Sequence, residues 1–451
     1  MNHSKAPREP QELYILVTGA NSGLGFSICC RLVDEFLSSH HYDDSLTIIF
    51  TTRSARKAKD TRRRLEAHLQ QSAASTSSNA ARVKFVSESV DLNNLLSTRT
   101  LSHRLLQSIP KLDAIILNAG IGGWHGVNWP EAIWGIITDL IYQVTWPTFK
   151  LAHTGVLTDR QTEKEEEPAL GNLFCANVFG HYMLAHGVVP LLKKAQSPNG
   201  PGRVIWVSSM EGNINFFDIN DIQGLHTKAP YESTKALTDL LALTSDLPST
   251  RPWVVDSFLR TDDETEDQNQ ATPQTTPMYV SHPGICATSI MPLPFGLAWG
   301  MVAAFWLARM LGSPWHTMST YLGAWSPVFL ALSSQGALDA AESPYRHAGG
   351  GRVKWGSSAN RLGVASVGST EIEGWGHGGV VGGPFLDADR NRRRKRGMVD
   401  LTREDKEKFE ELGRQCWKQM EELRIKWDAI LDEAEKKKAA ATATAAAETA
   451  R

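Results

Sequence analysis

Short apolar runs alternate along the chain with longer stretches of mixed polarity. Residues 13–17 (LYILV), 46–50 (LTIIF), 83–86, 112–117 (LDAIIL), 203–207 (RVIWV) and 278–281 are nearly continuous in apolar side chains. Runs of that length read as strands covered on both faces. Between them, residues 27–36, 55–71, 171–192 and 231–247 read as helices. The alternation predicts βαβ units, hence an α/β fold with a doubly wound parallel sheet.

Three stretches interrupt the pattern. Residues 161–168 are acidic, residues 248–277 carry TDDETED and read as a solvated loop, and residues 348–383 are Gly-rich and expected to be poorly ordered. Beyond them, Phe409, Leu412, Cys416, Met420, Leu423, Trp427 and Ile430 recur at spacings of three and four. That is one apolar stripe on a long helix, suited to docking on the chain's own core or to a coiled-coil contact. A capping pattern precedes it at Thr402–Asp405. The expected division is a polar N-terminus over 1–12, one large domain over 13–347, a Gly-rich and basic linker over 348–399, an amphipathic helix over 400–437 and a low-complexity tail over 438–451.

Residues 293–308 (LPFGLAWGMVAAFWLA) hold no charge. The run is shorter than the ~20 residues of a spanning helix. It fits a buried helix or pocket lid, a monotopic or re-entrant contact in which Trp299 and Trp306 sit at the headgroup boundary, or, least readily, a full span.

Composition narrows the function. The 451 residues carry 47 Lys+Arg against 49 Asp+Glu, a net charge of −2. No global attraction to nucleic acid follows, and none is expected as a partner. The basic run RNRRRKR at 390–396 fits an anionic lipid surface, an import signal or a solvated linker. Five cysteines without a CxxC predict reduced thiols and neither a disulfide framework nor a metal site. The polar N-terminus lacks the apolar region of a secretory signal.

Residues 18–25 (TGANSGLG) follow the first strand and open a helix. Glycines there let backbone approach a pyrophosphate, which the helix N-terminus then attracts. Gly19, Ser22, Gly23, Leu24 and Gly25 are the expected contacts. After the second strand come Thr51, Thr52 and Arg53, with no acid to accept from a ribose 2′-hydroxyl. Arg53, helped by Arg56 and Lys57, suits a 2′-phosphate, so NADP(H) is expected in a Rossmann-like domain.

Tyr231 and Lys235 stand four apart on one helix. A phenol has a pKa near 10, and a nearby ammonium lowers it. A phenol so tuned protonates a carbonyl oxygen as hydride reaches the carbon.

The order TGxxxGxG, then Asn118-Ala119-Gly120, Asn177, Ser208-Ser209 and YxxxK resembles the short-chain dehydrogenase/reductase superfamily over roughly residues 13–289. The resemblance implies Tyr231 as acid/base and Lys235 as its partner on the nicotinamide ribose. It implies Ser209, with Ser208 as fallback, on the substrate carbonyl, and Asn177 in a proton relay. It further implies Asp91 beside the adenine, Asn118 beside the adenosine ribose, and Ile285 and Thr288, within PGxxxT, at the nicotinamide. Leu117 replaces the first Asn of the usual NNAG, and the Ser209–Tyr231 gap is long, so residues 211–230 are expected to shape the substrate entrance.

The Trp-rich residues 124–146, LGSPWH at 311–316 and the helix around Cys416-Trp417 are similar to fungal 3-keto-sterol reductases. That narrower resemblance implies NADPH-dependent reduction of a 4-methyl-3-keto sterol to the 3β-alcohol, ending sterol C-4 demethylation. It also implies a membrane surface, other enzymes of that sequence as neighbours, and location at the cytosolic face of the endoplasmic reticulum and on lipid droplets. Trp124, Trp129, Trp134 and Trp146 fit either sterol-pocket walls or core packing. Reduction of another lipid ketone or aldehyde, or a non-catalytic NADPH-binding scaffold, are the rival readings.

Overall fold

The computed structural model describes residues 9–73, 77–164, 166–195, 200–260, 275–287 and 295–449. Its strands are β1 (Glu12–Val17), β2 (Ser45–Thr52), β3 (Val83–Ser89), β4 (Ala114–Leu117), β5 (Trp124–Val127), β6 (Lys150–Ala152), β7 (Arg203–Val207), β8 (Met278–His282), β9 (Lys354–Ala359) and β10 (Ala365–Ser369). Eight form one sheet in the order β10-β9-β8-β7-β4-β1-β2-β3, and β5 with β6 forms a separate hairpin. Neighbours in the large sheet are parallel except β9 and β10. The chain runs outward from β1 to β3 and then returns to β4, so the strand order reverses between β1 and β4. Ligands bind beyond the carboxyl ends of strands at such a reversal.

The main helices are α1 (Gly23–Ser39), α2 (Ala55–Ser72), α3 (Leu95–Ser108), α4 (Trp129–Thr138), α5 (Leu140–Thr145), α6 (Gly180–Gly187), α7 (Pro230–Leu243), α8 (Phe295–Met310), α9 (Trp325–Leu332), α10 (Gln335–His347) and α11 (Arg403–Thr449). One core lies between the sheet and α1, α2, α9 and α10. The other lies under α3, α6, α7 and α11. The six strands expected from apolar runs are all present.

Three expectations need correction, and one element was missed. The Gly-rich stretch after residue 348 is no poorly ordered linker: it supplies β9 and β10. All six residues of β9 are buried, and a Cβ on Gly356 would meet His282 Nε2 at 2.3 Å. Small side chains there reflect close packing, not disorder. The helix expected over 171–192 is broken. Cys175–Phe179 is a π turn, and Val188 ends one helix before Val189–Lys193 begins with Pro190. Residues 248–258 form short helical turns that carry buried Phe258, rather than solvated loop; residues 261–274 lie outside the described residues. Finally, α3 was not read from the sequence at all.

The apolar stripe of α11 docks on the chain's own core. Cys416, Trp417, Met420 and Trp427 are fully buried. Trp417 Nε1 donates to the Leu241 carbonyl at 3.0 Å, and Tyr182 donates to Glu421 at 2.6 Å. Thr402 accepts from the Asp405 N–H at 3.0 Å, as the capping pattern requires.

The basic run is no unpartnered patch, although Arg390, Arg393 and Arg396 remain exposed. Arg392 pairs with Asp389, Arg394 with Glu371 and Asp400, and Arg393 and Arg396 with Asp139. Asp139 also caps α5, accepting from the Tyr142 N–H at 3.2 Å, so these arginines brace the α4–α5 junction.

Candidate active site

The Gly-rich turn sits where β1 meets α1. Gly19 and Gly23 hold φ near +68° and +55°, the left-handed region that glycine enters freely. A Cβ on Gly25 would lie 2.3 Å from the Gly19 carbonyl oxygen. Thr51 at the end of β2 pins the turn, its Oγ1 accepting from Gly19 N–H at 3.2 Å and its carbonyl from Ala20 N–H at 3.1 Å. Asn118 Nδ2 donates to the Thr18 carbonyl at 2.9 Å, and Thr18 Oγ1 accepts from the Asn118 and Ala119 N–H groups. Residues 118–120 are thereby drawn against the turn.

Ser22 occupies the N-cap of α1 without capping it through its side chain, and Leu24 lies half-buried in the first turn of α1. The N–H groups of that first turn face outward with a positive dipole end, ready for an anion. Arg53 and Lys57 are exposed at the start of α2. Arg56 is exposed beside them, and a further cation, not anticipated, comes from the same helix: Arg64 donates to the Asn21 carbonyl at 3.2 Å and lies over Phe26. Asp91 follows β3, its carboxylate accepting from the Asn93 N–H at 3.1 Å. Ile285 is strapped to the chain after α8: its N–H donates to the Trp315 carbonyl at 2.6 Å and its carbonyl accepts from Met318. Thr288 lies outside the described residues.

Asn177 stands in the π turn, whose widened backbone turns its amide onto residue 121. It accepts from the Ile121 N–H at 2.8 Å and donates to the Ile121 carbonyl at 3.0 Å. Tyr231 and Lys235 lie on α7, buried. Lys235 Nζ donates to the Val207 carbonyl at 2.8 Å and lies 5.7 Å from the Tyr231 ring centre. Ser209 lies near enough to the Tyr231 hydroxyl to lower its pKa, its Oγ accepting from the Glu211 N–H at 3.2 Å, whereas the Ser208 hydroxyl donates to the Lys235 carbonyl at 3.3 Å. The four side chains thus meet at the carboxyl end of β7.

The acidity of Tyr231 runs against expectation. Burial first, then the charges of Glu211 and Glu232, push its pKa above the ordinary value, and only the Ser209 hydrogen bond lowers it. Lys235 is pushed down to about 8 by burial, with Asp239 opposing and Lys354 adding to the shift.

Trp124, one of the candidate pocket walls, is joined at the site by neighbours that the sequence did not announce. The hairpin folds back so that Trp124 lies 4.6 Å from the Tyr231 ring. Lys150 on the same hairpin sits 4.0 Å from the Trp124 ring and pairs with Glu211 and with Glu232, the latter at 3.1 Å. Asp239 and Lys354 lie behind Lys235. Only Asp239 left a signal, because positions 231, 235 and 239 share one helical face.

Beyond the hairpin, Val144 of α5, Phe305 and Ala308 of α8, and Met318 form a small apolar cluster that includes Ile285. Only one face of α8 is covered. Trp299 is 64% exposed and Trp134 of α4 is 70% exposed, with Trp129, Trp306, Leu307 and Met310 also at the surface. Among the described residues no helix is long and apolar enough to cross a membrane.

No protein-family model matches the chain. Among curated proteins it is 62% identical to the 3-keto-steroid reductase erg27 of Aspergillus fumigatus, covering 94% of this chain and 96% of that one. The corresponding protein of Gibberella zeae is 40% identical, over 93% and 95% of the two chains. That of Schizosaccharomyces pombe is 30% identical, over 80% and 90%. Among solved structures, salutaridine reductase from Papaver somniferum aligns at 18% identity over 71% of this chain and 96% of its own, with a TM-score of 0.41, too loose a likeness to build on.

Proposed function

Because the chain belongs to the 3-keto-steroid reductase family, we propose that it reduces the C-3 ketone of a 4-methyl-3-keto sterol to the 3β-alcohol with NADPH. This is the ketoreduction that ends sterol C-4 demethylation. The observation that carries the proposal is the 62% identity spanning nearly the whole of both chains.

The residues fit a phosphorylated dinucleotide. The turn at Gly19–Gly25 is tight enough to forbid a Cβ at Gly25. The N-terminus of α1 faces it, and Arg53 and Lys57 form no ion pair among the described residues. Those two cations, with no acid at the end of β2, support NADP(H) over NAD(H). Asp91 and Asn118 are assigned to the adenosine end, Ile285 and Thr288 to the nicotinamide end.

NADPH, when bound, supplies the hydride for C-3. Tyr231 gives its hydroxyl proton to the ketone oxygen. Its raised pKa keeps that proton in place at neutral pH, as an acid for reduction requires. Ser209 donates to the same oxygen as negative charge develops on it. Lys235 offsets the phenolate left behind, and Asn177 holds residue 121 while relaying the replacement proton. Trp124 supplies a flat apolar wall beside Tyr231 for a rigid ring system.

We assign the exposed faces of α4 and α8 to a bilayer surface, where the substrate is dissolved. Exposed tryptophans beside aliphatic side chains support that assignment. The cytosolic face of the endoplasmic reticulum and the lipid droplet are the proposed locations, with other enzymes of C-4 demethylation as neighbours.

Purified protein, NADPH or NADH, and a 4-methyl-3-keto sterol in detergent micelles test the reading. The expected product, followed by mass and retention time, is the 3β-alcohol, formed faster with NADPH. No sterol product alongside reduction of retinal or a fatty aldehyde would discard the sterol assignment.

A further inference from the structure

One buried ammonium touches two parts of the active site at once. Lys354 opens β9 and is 1% exposed. Its Nζ donates to the Ser209 carbonyl at 2.7 Å and to Asp239 Oδ2 at 2.6 Å. Asp239 lies one helical turn beyond Lys235 on α7. Its other oxygen, Oδ1, is buried and accepts no hydrogen bond. Two ammonium groups therefore stand around one carboxylate that has an acceptor to spare.

Every group facing this cluster fits that competition. Lys235 sees Asp239 and Tyr231 from its own helix, Lys354 from β9 and the Val207 carbonyl from β7. His181, on α6, is held neutral by burial, its pKa down to about 3. His282, on β8 beside Lys354, is also held neutral and bonds Thr370 Oγ1 at 2.7 Å. Neither histidine brings a charge to Asp239; the Ser208 hydroxyl also faces the carboxylate, but the two lysines are the cations that compete for it.

We propose that Lys354 is a positioning residue of this active site. By occupying Asp239 it leaves Lys235 aimed at the reacting groups, and by holding the Ser209 carbonyl it fixes the Ser209 hydroxyl beside Tyr231. Without Lys354, the unpaired buried carboxylate draws Lys235 across the i,i+4 spacing, because an isolated buried charge is strongly unfavourable. The inference rests on the reductase reading for the roles of Lys235 and Ser209.

The test compares wild type, Lys354→Met and the double variant Lys354→Met/Asp239→Asn. NADPH affinity by fluorescence titration across about pH 7–10, sterol turnover and thermal melting are recorded for each. In wild type, NADPH affinity weakens as pH rises through about 8, where Lys235 loses its proton. In Lys354→Met that fall moves to higher pH, affinity at neutral pH drops about ten-fold, and turnover drops further. The double variant removes the competing carboxylate. It regains NADPH affinity to within about two-fold but keeps a several-fold turnover deficit, because the Ser209 carbonyl has lost its donor.

Wild-type turnover in the double variant overturns the proposal. So does Lys354→Met with unchanged NADPH affinity and pH dependence and only a lower melting temperature. If Lys354→Met does not fold, the double variant alone decides by the same criteria. Failure of wild type to reduce the sterol would refute the proposed function while the NADPH titrations still judge Lys354.

Discussion

The cofactor side and the substrate side of this active site are built in different ways. The adenosine and pyrophosphate end of the cofactor side is assembled from strand ends within the first half of the chain. Thr51 pins the Gly-rich turn and Asn118 locks against Thr18. Each contact joins neighbouring strands, so sheet order alone brings the residues together. The substrate side is assembled from segments that share no sheet register. Trp124 and Lys150 come from a hairpin, Glu211 from the loop after β7, Glu232 from α7, and the apolar cluster from α5, α8 and the chain around Met318. Charge holds that side together: Lys150 ties hairpin to loop and helix, and Arg393 and Arg396 brace Asp139. A rigid nucleotide cradle is thus joined to a wall assembled by long-range contacts.

If that division is right, substitutions on each side separate by readout. The largest effect is expected from Gly25→Val, which drives a side chain into the Gly19 carbonyl. NADPH affinity by titration should fall at least ~100-fold, and a sterol-binding defect without a nucleotide defect would break the division.

Acid should come next. Burial lowers His181, beneath the cofactor turn, to about 3 and His316, between α5 and α8, to about 4. The unfolded chain binds protons near 6.5, the native state only well below that. Stability is therefore complete above pH 6.5 and is lost as pH falls toward 4, because the unfolded state holds more protons across that window. His316→Asn, which cannot take up the proton, should flatten the decline in unfolding free energy, followed by denaturant titration, by up to ~3 kcal/mol. An unchanged decline would mean His316 carries no such linkage.

The smallest effect belongs to Trp124→Ala. It removes the ring packed on Tyr231, so KM for the sterol should rise roughly ten-fold while NADPH affinity stays within error. A nucleotide defect of equal size would show that the hairpin serves both sides.

The same contrast explains what could be read from the sequence. β1, β2, β4, β7 and β8 announce themselves because strands buried on both faces must be continuously apolar. The Gly-rich turn and the 231/235 pair are local patterns, and the structure brings Ser209 and Asn177 beside them. β9 was hidden because in KWGSSA the small residues 356–359 follow a lysine and one tryptophan, with Gly356 packed against His282 and Trp315, and carry no apolar signature. Lys354 was lost with it. Lys150 and Glu211 lie 61 residues apart in sequence, and no periodicity links them. The stripe on α11 was legible since its polar back face faces solvent. The helix α8 was legible only as apolar: buried Phe305 and Ala308 and exposed Trp306 and Leu307 are alike apolar, so the run alone does not tell its covered face from its open one.

The decisive measurement is Tyr231→Phe, assayed for sterol reduction and for NADPH binding on the same preparation. With the hydroxyl gone and the ring retained against Trp124, turnover should fall at least ~1,000-fold with NADPH affinity within about two-fold of wild type. Turnover at the wild-type rate would contradict Tyr231 as the proton donor.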